Sequence, residues 1–189
     1  MRPMEARESL PEWRELSDGE VVRRVLDGDV ELYRVLVDRY QVEFGRLAVA
    51  MLGDADAAED ALQEAFVSAY QRLGTCRDPD RFKHWLYRIL ANRCHDIRRG
   101  IAPTTSVDDL PLRAKDRADA ATLDGELGEA LRGALDALTP EQREAFILKE
   151  VEGRPYTEVA ELTGVGVDAL KMRVHRARDA LRRTLELWK

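Results

Sequence analysis

The chain has 189 residues, 36 acidic against 30 basic for a formal charge of −6, with 44% hydrophobic and 6% aromatic residues. That length suits one ordinary domain or two small ones, and the hydrophobic share can build a core, which excludes wholesale disorder although 35% of the residues are charged. The longest apolar run free of charge and glycine, Leu47 to Leu52, falls far short of the roughly 20 residues that span a bilayer, and the charged first sixteen residues lack the apolar stretch of a secretory signal, so no membrane insertion and a cytoplasmic location are expected.

In chain order, Ser17 followed by Glu20 has the form of a capping box that opens a short helix through Val21, Val22, Val25 and Leu26, ended by Gly28. Leu32, Val35, Leu36, Tyr40, Phe44, Leu47 and Met51 recur at three- and four-residue spacing and predict a longer helix up to Gly53. A third helix is expected over Asp56 to Leu73, stopping at Gly74, and a fourth over Asp80 to Arg99, with Phe82, Trp85, Leu86, Ile89 and Ile97 on its apolar side. From Gly100 to about Leu123 the periodicity fades, two prolines appear and aspartates accumulate, which reads as a flexible, mildly acidic linker. Helical spacing returns with Leu127, Leu131, Leu135 and Leu138. Thr139, Pro140 and Gln142 then supply a cap, a first-turn proline and a capping-box partner for a helix through Val151, closed by Gly153. Two last helices, Tyr156 to Thr163 and Val167 to Leu187, flank a tight turn at Gly164 and Gly166. The expected fold is all-α: two small helical domains joined by a flexible linker, with residues 1–16 a disordered extension, 17–100 the first domain, 101–123 the linker and 124–189 the second domain.

Charge is unevenly placed. Residues 81–99 carry a net +5 and residues 168–189 a net +4, leaving −15 for the other 148 residues. Two compact cationic surfaces on an acidic chain suit contact with a polyanion, although solvated helix faces account for the same charges. The last two helices have a helix-turn-helix layout, in which Ala160 permits close packing and Gly164 can take the left-handed turn. A buried stripe of Val167, Leu170, Val174, Ala177 and Leu181 would leave Lys171, Arg173, His175, Arg176 and Arg178 free to meet phosphates or base edges. An ordinary antiparallel helix pair with a basic outer face is the competing reading.

The sequence offers no phosphate loop, nucleophile elbow or HExxH, so an enzyme is not expected. His84, His95 and His175 are scattered, and Cys94 beside His95 points about 100° away from it on a helix, so neither a metal nor a cofactor is expected. Cys76 and Cys94 read as reduced structural thiols.

Three stretches carry a family resemblance: DAAEDALQEAFVSAY from Asp56 to Tyr70, FKHWLYRILANRCHDIRR from Phe82 to Arg99, and the segment from Leu138 to Leu181. The first two resemble the signature segments of region 2 in bacterial sigma factors of the extracytoplasmic-function (ECF) group, and the third resembles their region 4. The resemblance implies a dissociable promoter-specificity subunit of RNA polymerase, with region 2 in the first domain and region 4 in the second. Asp56, Glu59, Asp60, Gln63 and Glu64 would dock on the clamp helices of the largest polymerase subunit, and region 4 on the flap. Arg88, Asn92, Arg93, His95, Asp96, Arg98 and Arg99 would serve the −10 element, with Asn92 on the edge of a flipped base and Gly74 to Pro79 as the specificity loop. Lys171, Arg173, His175, Arg176 and Arg178 would serve the −35 element. An anti-sigma partner is also implied. The chain departs from the family at Pro155, where a serine cap is usual, and at Gly166, Ala169 and Met172, where hydroxyls are usual early in the recognition helix. A stand-alone helix-turn-helix regulator is the alternative, but it leaves the acidic face at Asp60, Gln63 and Glu64 and the first basic island unexplained.

Overall fold

The computed structural model describes residues 15–100 and 133–186. The expected linker and most of the expected N-terminal extension lie outside the described residues, although Leu16, at the end of that extension, packs on the core. Ser17 is extended and caps α1 (Asp18–Leu26) with both bonds of the capping box, its hydroxyl accepting from the Glu20 N–H and its own N–H donating to the Glu20 carboxylate at 2.7 Å. A 3₁₀ turn, Val30–Leu32, leads into α2 (Tyr33–Leu52), which ends where left-handed Gly53 donates its N–H to the Val49 carbonyl. Asp54 caps α3 (Ala55–Gln71) through the Ala57 N–H, at 2.8 Å. Two further 3₁₀ turns, Leu73–Thr75 and Pro79–Arg81, then deliver the chain to α4 (Phe82–Arg98).

The C-terminal part enters with helical residues at 133–136 and the capping box of Thr139 and Gln142, with Pro140 in the first turn of α5 (Pro140–Phe146). This helix does not run as regular α-helix to Val151. It loosens into a π turn, Ile147–Val151, closed by the Glu152 N–H on the Ile147 carbonyl, before Gly153 turns the chain. Helix α6 (Tyr156–Thr163) starts at Pro155 with no side-chain cap and stops at left-handed Gly164; α7 (Val167–Glu186) follows. Among the described residues there is no strand.

A line of small residues on α3, Ala58, Ala61, Ala65 and Ala69, is buried where α3 runs along α2. Phe44 of α2 meets Tyr40 and Tyr87 ring to ring, with centroids 5.5 and 6.2 Å away. The apolar core does not stop at the N-terminal helices. Phe44, Tyr87 and Leu90 belong to the same buried cluster as Ala145, Leu148, Val159, Leu170 and Val174, while Ala134, Leu138, Ala177 and Leu181 form a separate cluster within the C-terminal helices. Fully burying a side chain such as Leu148 contributes roughly 1.5–3 kcal/mol, so the two helical groups are held together by more than surface charge.

Candidate nucleic-acid interface

Three helix faces hold the residues singled out from the sequence. On α3, Asp56, Glu59, Asp60, Gln63 and Glu64 are exposed on the side opposite the alanine line. Gln63 Nε2 donates to Glu59 at 3.2 Å. Glu64 accepts from Arg93 Nη2 on α4 at 3.2 Å and lies against its Nε, so the acidic face of one motif is ion-paired to the basic face of the next.

Helix α4 separates its residues less simply than the spacing suggested. Asn92 is exposed and Asp96 half-buried. His95 is 9% exposed and faces inward, with Nε2 3.5 Å from the Glu144 carboxylate. Tyr87 is buried and donates its hydroxyl to the other Glu144 oxygen at 2.5 Å, so it packs and does not stack in solvent; burial and the neighbouring carboxylate push its pKa well above the ordinary tyrosine value. Trp85 is half-buried against Phe82, with ring centroids 6.0 Å apart. Arg98 reaches Asp136 at 3.4 Å and Arg99 reaches Glu141. Cys94 is fully buried, and burial lifts its thiol pKa to about 12, consistent with an inert structural thiol. Cys76 is buried too, its thiol directed at the Asp78 carbonyl in the loop between the two motifs, where Gly74, Thr75, Arg77 and Asp78 are exposed.

On α7 the buried stripe is Leu170, Val174, Ala177 and Leu181. Lys171, His175, Arg176 and Arg178 are exposed and Arg173 is half-buried. Three of these have weak local counter-charges: Lys171 on Asp168 at 3.4 Å, His175 on Asp179 at 3.1 Å and Arg178 on Glu150 at 2.8 Å. Exposed pairs of this kind are worth 0 to about 1 kcal/mol, so a phosphate can displace them. The turn is built as the glycine pattern suggested: Gly164 takes φ 75° and donates to the Ala160 carbonyl at 2.9 Å, while the Thr163 hydroxyl accepts from Val165 N–H.

Residues 36–102 match the family model for Sigma-70 region 2, and residues 128–181 match that for Sigma-70 region 4. Over 181 residues the chain is 33% identical to the RNA polymerase sigma-H factor of Pseudomonas aeruginosa, covering 89% of this chain and 94% of that one. It is 30% identical over 176 residues to the ECF RNA polymerase sigma factor SigW of Bacillus subtilis, covering 87% and 94%. The chain belongs to the ECF group of RNA polymerase sigma factors. Its fold is similar to that of CnrH in complex with the cytosolic domain of CnrY, with a TM-score of 0.62, 26% identity, and 90% and 97% of the two chains covered. The sigma factor RpoE in complex with the anti-sigma factor NepR from Bartonella quintana aligns with a TM-score of 0.55 and 25% identity, over 83% and 98% of the two chains.

In this sigma factor the region 2 and region 4 segments therefore carry the acidic α3 face, the basic α4 face and the basic α7 face. The reading from sequence missed a set of charges lying between the two segments. Arg143 is buried and donates to the Ala50 carbonyl at 3.0 Å and to Asp136 at 3.0 Å. Arg154 donates to Glu43 at 2.7 Å, and Lys83 approaches the same carboxylate at 2.9 Å. One signal was available: Glu144, Ile147, Leu148 and Val151 follow helical spacing, which sets a carboxylate on an apolar stripe. Among the described residues no cluster of histidine, cysteine and carboxylates is arranged to hold a metal, and no helix is long and apolar enough to cross a membrane.

Proposed function

We propose that this sigma factor binds core RNA polymerase through the exposed face of α3, with region 4 on the flap, and directs initiation by presenting α4 and the 74–79 loop to the −10 element and α7 to the −35 element. It works in the cytoplasm as a specificity subunit and not as an enzyme. The observation that carries the assignment is the division of labour among the three faces. One is acidic and suited to basic side chains of a protein partner, while two are cationic and suited to DNA, and all lie inside the matched regions 2 and 4. Holding a base out of the duplex costs a few kcal/mol and needs polar groups at its edge. Asn92, exposed on α4, supplies a donor and an acceptor without adding charge. Arg176, exposed on α7, suits a phosphate, and half-buried Arg173 is better restrained for a base edge. The solved relative bound to the anti-sigma factor NepR supports an anti-sigma partner for this chain as well.

Asp60→Lys tests the docking face. Asp60 is exposed, so reversal should abolish copurification with core polymerase while leaving helical content and melting temperature unchanged. Normal copurification and normal transcription would refute the α3 assignment. Retention of promoter fragments by the chain without core polymerase, at the affinity of the complex, would favour the stand-alone regulator.

A further inference from the structure

Arg93 sits on α4, and the inference drawn from it rests on the docking role of α3 proposed above. Expected from the sequence among the −10 contacts, it does not face outward as Asn92 does. Its side chain is 14% exposed, whereas that of Glu64, its partner on α3, is 45% exposed. Two of its three guanidinium nitrogens engage that carboxylate: Nη2 donates to one oxygen at 3.2 Å, and Nε, which is buried, lies against the other. Such a two-pronged pair fixes a carboxylate in direction as well as in charge. Solvent thus meets the carboxylate with its cation behind it, an arrangement that suits a cationic partner better than a phosphate.

Glu64 stands one helical turn beyond Asp60, and both are exposed. Like charges at that spacing repel each other, and a free glutamate side chain has rotamers to lose when a partner binds. Arg93 offsets both effects. Its charge relieves the repulsion, and its fork orders Glu64 before the partner arrives, which lowers the entropy lost on association. Val67, three residues further along the same face, is 56% exposed, so the held carboxylate lies between Asp60 and an apolar contact. We infer that Arg93 is a positioning residue of the polymerase-docking face and not a promoter contact, orienting Glu64 toward a basic side chain of the polymerase.

Titrating the labelled full chain with core RNA polymerase, then measuring promoter binding by the resulting complex across a salt series, separates the two roles. Arg93→Lys keeps the charge but loses the fork. It should weaken core affinity about tenfold, within the range for residues in direct contact, with the circular dichroism of a helical protein retained. With core polymerase saturated, the salt slope of promoter binding should match wild type. A phosphate contact behaves in the opposite way: the lysine variant keeps wild-type core affinity, and Arg93→Gln lowers the salt slope by about one. Glu64→Gln supplies the second control. In that background neither Arg93 substitution should weaken core binding much further, because no carboxylate remains to be oriented. A loss that persists in full there belongs to the packing of α4 and overturns the inference. Wild-type core affinity for both Arg93 variants overturns it too, while Asp60→Lys still abolishes docking. If Asp60→Lys docks normally, the α3 reading itself fails, and the role of Arg93 fails with it.

Discussion

Glu43 on α2 accepts hydrogen bonds from Arg154, which lies 111 positions later, and from Lys83, the first residue after Phe82 on α4. Burial by itself would raise the Glu43 pKa, but the bonds from Arg154 and Lys83 outweigh it and hold the carboxyl below the ordinary glutamate value. Arg154 answers in kind: burial opposes its charge, while Glu43 and Glu152 hold its pKa above the usual arginine value. For a carboxylate whose native pKa is depressed, the stabilisation is fully present above the unfolded value, about 4.3 for glutamate, and is lost as pH falls through the native value. Glu43→Gln should therefore lower the urea midpoint at neutral pH, and the gap from wild type should close as pH is lowered below about 4.3. A gap that stays constant across that range would show that Glu43 acts by packing alone. Glu43 was not legible as a partner of Arg154 because neither residue breaks a local pattern; both read as ordinary surface charge until folding brings them together. Glu144 could be suspected from its place on an apolar stripe, but its bond to Tyr87 spans 57 positions and no local signal pairs them.

Elements were far more legible than partners, because caps and turns are written in neighbouring residues. Both capping boxes, at Ser17 and Thr139, form as their spacing indicated, and α6 runs from Tyr156 to Thr163 as expected. Deviations appear where tertiary contacts compete with local rules. The third helix ends at Gln71, and a 3₁₀ turn then buries Leu73, while α5 opens into a π turn that seats Ile147 and Leu148 in the core. π turns arise as local insertions into a helix and are frequent at functional sites. The corner between α6 and α7 gives the clearest test at this scale. Gly164 combines a left-handed backbone at φ 75° with the Arg88 guanidinium packed beside it. A non-glycine residue in that conformation costs roughly 1–2 kcal/mol, and the new methyl group would press on Arg88. Gly164→Ala should lower unfolding free energy by about that amount in denaturant titrations, whereas Gly166→Ala, with open space and no positive φ, should be nearly neutral. Equal effects at the two glycines would contradict the assigned turn.

For the molecule as a whole, the all-helical class was legible in the apolar periodicity and the sigma-factor reading in the resemblance carried by three motifs, and the matched regions 2 and 4 fall where those motifs lie. What the sequence did not convey is that the two helical groups share a buried core, since a hydrophobic stripe reveals that a face is buried but not against what. Arg98, Arg99 and His95 of α4 meet carboxylates of the C-terminal helices, while the acidic side of α3 stays exposed, with Glu64 alone of its five polar residues paired to α4. Promoter recognition then belongs to the complex with polymerase and not to the chain alone. The most direct test is run-off transcription by purified core RNA polymerase, with and without this chain, on a library of bacterial promoter fragments. Transcripts should appear only when both are present, from fragments that share a −10 and a −35 element, with Asn92→Ala relaxing preference at one −10 base and Arg173→Ala at one −35 base. Initiation that is unchanged by adding the chain, or DNA selection by the chain alone that matches the complex, would contradict it.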